Sequence, residues 1–478
     1  MDYAGFVSKQ KSMIVAPAGY GKTHAIAECL KYTEGRQLVL THTHAGVASL
    51  KEKIRKEGIA SKQYRVETIE SFAQKYFNAF YCGSDEPAQD DVQDYFNFVR
   101  KKANAILKLT PIKDVIKATY SGLFVDEYQD CNIDQHYLIS TLACMLPTHI
   151  FGDPLQGIFG FTGQQFVDFG KDLENYEKFP DLTEPWRWKK TNPDLGIILH
   201  EVRKKLEGRE NINLDLYKAH IEIVYINEDD KYTYRTDYNK KIWDLTNAND
   251  VLVIHPNSSN LNTRKDFISH FNNAFFLVES IDSKDFYKFS HQFDNITMAS
   301  NSYETLYQLM PDIFNGTTNR NNWFNANGVK RKKSDEDNKL IAPIRDDLEK
   351  IEKEFSLSRI ARVLKKIKTL PGIKCYRVEL FSDLCKALEQ AEYKCSSVYE
   401  AMLEIRNTKR RVGRKMRNKC IGTTLLTKGL EFDTVAILDA HNFKCHKNFY
   451  VAITRACKNL IIFTNTKDLM PYAPISNC

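Results

Sequence analysis

Short apolar runs recur along the first third of the chain, with helical spacing of apolar residues between them. The runs lie at residues 12–15, 37–40, 121–125 and 148–151. Apolar runs of this length, separated by helical segments, are typical of buried strands in a parallel sheet. This alternation predicts an α/β fold whose successive strands are joined through helices.

A second series of the same kind begins at residues 250–254 and resumes near Thr423, at 435–438 and at 459–463. Two mostly helical stretches without recognisable motifs, 78–118 and 285–400, interrupt the two series. The second begins with an asparagine-rich segment around Asn315 to Asn327, which is typical of a long loop or linker. We therefore expect two α/β domains, at 1–77 with 119–200 and at 201–284 with 401–478, each carrying an insertion.

Composition narrows the class of protein without identifying it. The 478 residues are 42% hydrophobic and 27% charged, which is the balance of a soluble globular protein. No apolar run is long enough for a membrane span, and no secretory signal is visible. The 11 cysteines are scattered without a C-x-x-C pair, which favours the reducing cytoplasm. A net charge of +7 is compatible with a nucleic-acid partner.

The segment between the first predicted strand and its helix has the composition of a phosphate-binding loop. Glycines allow backbone N–H groups to surround phosphate oxygens, and the following helix adds its positive end. Lys22 would reach the β- and γ-phosphates, while the hydroxyl of Thr23 would bind Mg²⁺. The alternative is a glycine-rich turn with a surface lysine. The predicted loop consists of Ala16, Pro17, Ala18, Gly19, Tyr20, Gly21, Lys22 and Thr23.

Asp126 and Glu127 directly follow the third apolar run. Ligands of open parallel sheets bind at the carboxyl ends of the strands, which is where this acidic pair would lie. We expect Asp126 to hold Mg²⁺ and Glu127 to polarise the attacking water. A solvated acidic pair is the alternative interpretation.

Seven segments occur in the order of the motifs of one known family. Together they resemble a superfamily 1A helicase of the UvrD/Rep/PcrA type. The segments are 41–54 (THTHAGVASLKEKI), 68–72 (TIESF), 126–130 (DEYQD), 152–161 (GDPLQGIFGF), 186–188 (WRW), 427–433 (TKGLEFD) and 450–456 (YVAITRA).

The resemblance implies two RecA-like P-loop domains in tandem, with ATP and Mg²⁺ in the cleft between them and single-stranded DNA across the top. It assigns the γ-phosphate contact to Gln156 and the arginine fingers to Arg187 and Arg455. Glu431 would belong to a segment that links nucleotide and strand. DNA contacts are implied for Thr43, Thr68, Ser71 and Phe161, although Phe161 is also compatible with core packing.

This sequence departs from the family pattern at several positions. Thr162 follows the Gly-Phe pair where arginine is usual, and Leu425 replaces a histidine. His44 stands where asparagine is usual, and Glu70 where histidine is usual. The adenine-reading glutamine normally lies upstream of the loop, and the only candidate there is Gln10.

A run of eight cations without an acid extends from Arg406 to Lys419. Such a run is typical of salt-dependent nucleic-acid binding, although a solvated face or an acidic protein partner would also explain it. The cations at 330–333 precede acids at 335–337, which favours a solvated surface.

The function expected from these features is a DNA-dependent ATPase that translocates 3′→5′ on single-stranded or forked DNA. Both insertions, 78–118 and 285–400, are short for the family, which suggests weak unwinding without a partner. In size the chain resembles the helicase-like subunit of Gabija-type anti-phage systems, so DNA repair and anti-phage defence are the expected settings. The alternative is a regulatory subunit that senses ATP and DNA for a nuclease.

Overall fold

The computed structural model describes residues 1–87, 92–158, 165–231, 233, 235–256, 261–279, 284–296, 302–315, 317–412 and 418–472. Six strands of the described part form the first sheet. They are β1 (Lys11–Val15), β2 (Gln37–Thr41), β3 (Tyr64–Thr68), β4 (Gly122–Val125), β5 (Thr148–Gly152) and β6 (Glu177–Phe179). All neighbours are parallel, in the order β3-β2-β4-β5-β1-β6.

Helices cover both faces of this sheet because successive residues of a buried strand point to opposite sides. In β2, Leu38 and Leu40 belong to one core and Val39 to the other. The helices are α1 (Tyr3–Val7), α2 (Lys22–Cys29), α3 (His44–Lys56), α4 (Ile69–Phe80), α5 (Val92–Leu107), α6 (Thr110–Thr119) and α7 (Ile133–Ala143). Tyr95 and Val99 of α5 share the core of Leu38, so this segment packs onto the sheet.

A second parallel sheet of six strands forms the other lobe within the described residues. After helix α8 (Pro193–Glu207) and the short β7 (Ile212–Asn213), the chain builds this sheet in the order β10-β15-β9-β16-β17-β8. Its strands are β8 (Glu222–Tyr225), β9 (Val251–Ile254), β10 (Phe276–Leu277), β15 (Lys419–Gly422), β16 (Phe432–Ile437) and β17 (Ala456–Thr464). Its helices are α9 (Asp237–Leu245), α10 (Leu261–His270), α18 (Thr424–Thr427) and α19 (His446–Ile453), and β18 (Asp468–Leu469) pairs with β7. Two parallel α/β lobes in tandem confirm the predicted fold class.

Between β10 and β15 lies a mostly helical unit with its own core, which includes Phe286, Leu309, Leu364 and Leu388. Its helices are α11 (Lys284–Asp294), α12 (Ser302–Ile313), α13 (Thr317–Trp323), α14 (Asp335–Lys353), α15 (Leu357–Ile367), α16 (Val378–Lys394) and α17 (Val398–Val412). Short strands β11 (Phe314–Asn315) with β14 (Lys374–Cys375), and β12 (Phe324–Asn325) with β13 (Gly328–Val329), complete it.

The prediction of a long loop through the asparagine-rich segment is wrong. The segment contains β11, α13 and the β12–β13 hairpin. Phe314, Trp323 and Phe324 are buried in the core of the helical unit, so apolar anchors fix a chain whose asparagines suggested a linker.

The four strands predicted in the first series are present, but β3 and β6 were missed. Both are edge strands with exposed residues, and an apolar run marks only strands buried on both faces. The strand expected at 420–426 ends at Gly422, because Thr423 accepts a hydrogen bond from the Leu426 N–H and begins α18. No helix of the described residues is long and apolar enough to cross a bilayer.

Candidate active site

The loop after β1 is shaped by two glycines with positive φ, 77° at Gly19 and 82° at Gly21. A Cβ atom at Gly19 would lie 2.7 Å from the Trp188 ring, and one at Gly21 would lie 2.8 Å from Trp186. Only glycine satisfies both the conformation and the space. The loop thereby delivers Lys22, the first residue of α2, to the carboxyl edge of the sheet.

Lys22 and Glu127 form the centre of the site. The Lys22 Nζ lies 2.8 Å from Oε2 of Glu127, and the Lys22 side chain is buried. Asp126 accepts the N–H of Glu127 at 2.9 Å, and Gln129 donates to the Glu127 carboxylate at 2.5 Å. The structure therefore brings Lys22, Asp126 and Glu127 together at the end of β4.

The two carboxyl groups have opposite pKa shifts. Burial, together with the neighbouring Glu127 carboxylate, raises the pKa of Asp126 to about 7. Burial also acts to raise the pKa of Glu127, but the ammonium groups of Lys22 and Lys428 lower it to about 2. Asp126 is thus a buried oxygen donor whose negative charge lacks sufficient compensation, which fits an Mg²⁺ ligand. The hydroxyl of Thr23 is a second suitable donor.

Gln156 contacts this centre through Asp153. Its Nε2 donates to Asp153 at 2.8 Å, and Gln129 accepts the Asp153 N–H at 2.9 Å. Asp153 is fully buried and forms two hydrogen bonds, of 2.7 and 2.8 Å, with Arg203 of α8. Sequence analysis missed Arg203, because one arginine in an amphipathic helix carries no signal of its buried partner.

The second lobe reaches the phosphate loop through α19. The Ala18 N–H donates to the Tyr450 hydroxyl at 3.1 Å, and the Arg203 guanidinium lies 5.2 Å from the centre of the Tyr450 ring. Arg455 closely follows this helix and is 2% exposed. Arg455 donates to the carbonyls of Val451 at 2.9 Å and Leu430 at 3.2 Å.

Charges on both sides of the cleft act on Arg455. Burial, and next the Arg187 guanidinium, lower the pKa of Arg455 to about 10, while Glu431 and Glu127 oppose this shift. Arg455 therefore lies within electrostatic reach of the first lobe, but its hydrogen bonds are made within its own lobe.

Arg187 joins the loop to the second lobe. Its N–H donates to the Gly19 carbonyl at 3.0 Å, while its guanidinium lies 2.5 Å from Glu431 and contacts the carbonyl of Thr454. Arg187, Glu431 and Arg455 are therefore gathered beside the phosphate loop.

A second contact between the lobes comes from Lys428. Its Nζ lies 2.5 and 2.7 Å from the two carboxylate oxygens of Asp130, and 2.6 Å from the Gln156 carbonyl. The sequence motif contained Lys428, but its partner lies 298 positions away and could not be inferred.

The assignment of Gln10 as an adenine-reading residue does not fit the structure. Gln10 precedes β1, and its carbonyl accepts the N–H of Thr148 at the start of β5. It therefore lies at the amino edge of the sheet, a full strand length from the loop. Trp186 is better placed, because its indole is 48% exposed and lies against Gly21. Sequence analysis missed this exposed aromatic face.

Comparison with known families agrees with this arrangement. A family profile described as the UvrD/REP helicase N-terminal domain matches residues 84–177. This chain is a UvrD-like superfamily 1 helicase.

Similarity to individual proteins is partial. This UvrD-like chain is 26% identical over 181 residues to an ATP-dependent helicase/nuclease subunit from Ligilactobacillus salivarius. The match covers 37% of this chain and 13% of that protein, so the chain spans a small part of its relative.

Two solved structures of the Arterivirus nonstructural protein 10 helicase show only remote likeness. The complex with DNA has a TM-score of 0.35 and 10% identity, covering 96% of this chain and 61% of the viral one. The other has a TM-score of 0.28 and 14% identity, covering 55% and 56%. Scores this low place no constraint on the UvrD-like chain.

Three predicted strand-binding residues lie at the same edge of the first sheet as the loop. Thr43 follows β2, and Thr68 ends β3, immediately before Ser71 in α4. Thr43 and Thr68 cap their helices by accepting N–H groups at 3.0 Å, and Thr68 donates to the Ser71 hydroxyl at 2.7 Å. Phe161 lies outside the described residues. Glu70, which replaces the usual histidine, is paired with Arg100 at 2.8 Å.

The interpretation of the basic run as a DNA-binding segment is wrong for Arg406. This arginine is fully buried, its Nη1 lies 2.8 Å from Asp383, and its guanidinium lies 3.7 Å from the centre of the Phe286 ring. Lys409 also pairs with Asp383, at 2.8 Å, and Lys419 donates to a backbone carbonyl. The cations at 414, 415 and 417 lie outside the described residues.

Proposed function

We propose that this chain is an ATP-driven DNA motor that hydrolyses ATP between its two lobes and moves 3′→5′ along single-stranded DNA. One observation carries the proposal. The ion pair of Lys22 with Glu127 lies at the seam where the second lobe presents Arg455 and Glu431. Family membership supports the same activity.

Binding of the triphosphate changes the ion pairs at this seam. Lys22 exchanges Glu127 for the β- and γ-phosphates, since both compete for one ammonium group. With Lys22 withdrawn, the low pKa of Glu127 rises, and its carboxylate becomes a better acceptor for the proton of the attacking water. The base is therefore most active when ATP occupies the cleft.

The residues suited to hold Mg²⁺ are Asp126 and Thr23. When bound, the ion neutralises developing charge on the phosphate oxygens. Its charge also favours the ionised form of Asp126, whose pKa of about 7 reflects burial beside Glu127.

Closure of the lobes would bring two guanidinium groups to the γ-phosphate. Arg187 must leave Glu431, and Arg455 must leave the Val451 and Leu430 carbonyls. The hydrogen bonds that hold both arginines in place therefore separate nucleotide binding from hydrolysis. Cations supplied in this way stabilise the spread charge of the transition state.

Adenine recognition in this proposal relies on stacking rather than on a glutamine. Trp186 presents an exposed ring beside the loop, with His24 and Lys189 holding its other sides at 5.7 and 4.5 Å. A flat apolar face accepts any base, so we expect weak discrimination between ATP and other purine nucleotides.

The domain assignment 1–77 with 119–200, and 201–284 with 401–478, is part of the proposal, with 78–118 and 285–400 as insertions. Support comes from the two sheets, whose strands fall within these ranges. The short first insertion packs on the sheet of its own lobe, which leaves little structure to grip duplex DNA. We therefore expect weak unwinding by the chain alone.

Loss of ATP hydrolysis tests the proposal directly. Lys22→Ala removes the phosphate-binding ammonium, and Glu127→Gln removes the base, so each should lower DNA-stimulated hydrolysis by about 100-fold or more. Lys9→Ala, which removes a surface ammonium of the same lobe, is the matched control and should retain full activity. Turnover that survives Glu127→Gln would refute the site assignment.

A second candidate function is an ATP- and DNA-sensing subunit of a nuclease complex. It is favoured by the similarity to a protein named as a helicase/nuclease subunit. Displacement of streptavidin from end-labelled single strands separates the two candidates. ATP-dependent displacement from one end only supports a directional motor, whereas ATP-gated DNA binding without displacement supports the sensor.

A further inference from the structure

A basic pocket lies on the first lobe, outside the cleft. It is a cavity of about 510 Å³ between α3 and the beginnings of β2 and β3. This volume is within the range of sites that bind small molecules or parts of larger ones. The residues that concern the argument are Arg36, Lys51, Arg55, Arg65, Ser61 and Tyr64.

The pocket has an excess of positive charge. Its one acid, Glu52, pairs with Lys56 at 2.7 Å, and Arg65 pairs with Glu67. Arg36, Lys51 and Arg55 form no ion pair with any residue that the structure describes, and all three are exposed. Three unneutralised cations around one concavity repel each other, and a bound anion would relieve that repulsion.

The cations come from three elements and face one space. Arg36 immediately precedes β2, Arg65 lies in β3, and Lys51 and Arg55 are one turn apart on α3. Residues four positions apart share a helix face, so the last two point into the pocket together.

The pocket is separate from the ATP site. Arg36 lies before the first residue of β2, whereas Thr43 and the phosphate loop lie at the opposite edge of the same sheet. The five residues of β2 span roughly 16 Å. A ligand of this pocket therefore leaves the cleft free for nucleotide.

The chemistry of the lining selects phosphate. Guanidinium groups bind phosphate oxygens through paired hydrogen bonds, and the Ser61 hydroxyl adds a further donor. The half-buried ring of Tyr64 provides a flat face beside them. A metal ion or a cationic peptide finds only one acid here.

We propose that this basic pocket is a second phosphate-binding site, which holds the sugar–phosphate backbone of a nucleic-acid strand outside the motor cleft. The choice of nucleic acid as the phosphate source rests on the proposed function. Helix α3 links the two regions, because it begins after Thr43 at the strand-facing edge and carries Lys51 roughly 12 Å further along. A strand that leaves this edge along α3 reaches the pocket within a few nucleotides.

Salt dependence of DNA binding tests the site in the full-length chain. The variant combines Arg36→Ala, Lys51→Ala and Arg55→Ala, and binding of a labelled single-stranded oligonucleotide is followed by anisotropy across salt concentrations. Loss of three phosphate contacts should lower the slope of log affinity against log salt by about 2. Thermal unfolding curves establish that the variant is folded.

The matched control removes three exposed lysines of α5, α6 and the intervening turn. They are Lys101, Lys108 and Lys117. Both variants lose the same net charge, but the control should keep the wild-type slope. Equal losses in both variants, or an unchanged slope in the pocket variant, would overturn the proposal.

Tripolyphosphate separates failure of the pocket from failure of the proposed function. Calorimetry is performed with Lys22→Ala, in which the cleft is impaired, and with the same chain lacking the three pocket cations. If the wild type binds no DNA, but tripolyphosphate binds only while the pocket is intact, the phosphate site stands and its nucleic-acid ligand is refuted. Absence of both interactions refutes the site itself.

Discussion

At the scale of single residues, the cleft is organised by buried charges that need one another. Lys22 pairs with Glu127, and Lys428 pairs with Asp130 across the seam. Removing one member of a buried pair leaves an uncompensated charge, which typically costs about 3–5 kcal/mol. Nucleotide binding exploits this dependence, since a triphosphate can replace Glu127 as the partner of Lys22.

The raised pKa of Asp126 predicts a stability that depends on pH. Between about 4, the ordinary pKa of an aspartate, and about 7, the folded chain holds a proton that the unfolded chain has released. The free energy of unfolding therefore falls as pH rises through this interval. In EDTA at pH 8, Asp126→Asn should raise the thermal midpoint by several degrees.

That gain should disappear near pH 5, where Asp126 is already protonated in the folded chain. Asp114→Asn removes an exposed aspartate and should leave the midpoint unchanged at both pH values. A midpoint that drops in Asp126→Asn at pH 8 would show that this carboxyl is a structural anion.

Trp186 gives a second prediction at this scale. Trp186→Ala should weaken ATP binding about tenfold, because stacking on a base is worth about 1–3 kcal/mol. Trp186→Phe retains a flat ring and should keep most of the affinity. Fluorescence titration measures the affinities, and tripolyphosphate, which has no base, should bind all three chains equally.

At the scale of elements, sequence patterns revealed strands that are buried on both faces and missed those at the edges. Runs at β1, β2, β4 and β5 are continuously apolar, whereas β6 is Glu-Lys-Phe and largely exposed. The asparagine-rich segment misled because composition does not reveal three buried aromatic anchors. Fold class followed from alternation alone, which tolerates these local errors.

Helix α17 shows how charge in a sequence can mislead at the same scale. Arg406 fixes this helix to α16 through Asp383 and to α11 through Phe286. Arg406→Met should lower the free energy of unfolding of the helical unit by about 3–5 kcal/mol, since Asp383 remains buried. Urea unfolding measures this loss.

Lys409→Met is the matched control because Lys409 contacts the same aspartate but is 33% exposed. Its loss should stay near or below about 1 kcal/mol. Similar losses in the two variants would mean that burial of Arg406 does not distinguish it energetically.

At the scale of the whole molecule, motifs separated by hundreds of residues meet at one seam. The sequence identified Lys22, Asp126, Glu127, Gln156 and Arg455 because each belongs to a compact motif. It could not identify their partners, since Ala18 meets Tyr450 432 positions away and no local pattern encodes that contact. Gln10 failed for the same reason, because its edge of the sheet is set by β1.

A structure of the chain with Mg²⁺, a slowly hydrolysed ATP analogue and a single-stranded oligonucleotide tests the central claim most directly. The account predicts the triphosphate bound between Lys22 on one side and the guanidinium groups of Arg187 and Arg455 on the other. A nucleotide held by one lobe alone, with Arg455 still bonded to the Val451 and Leu430 carbonyls in the closed chain, would contradict it.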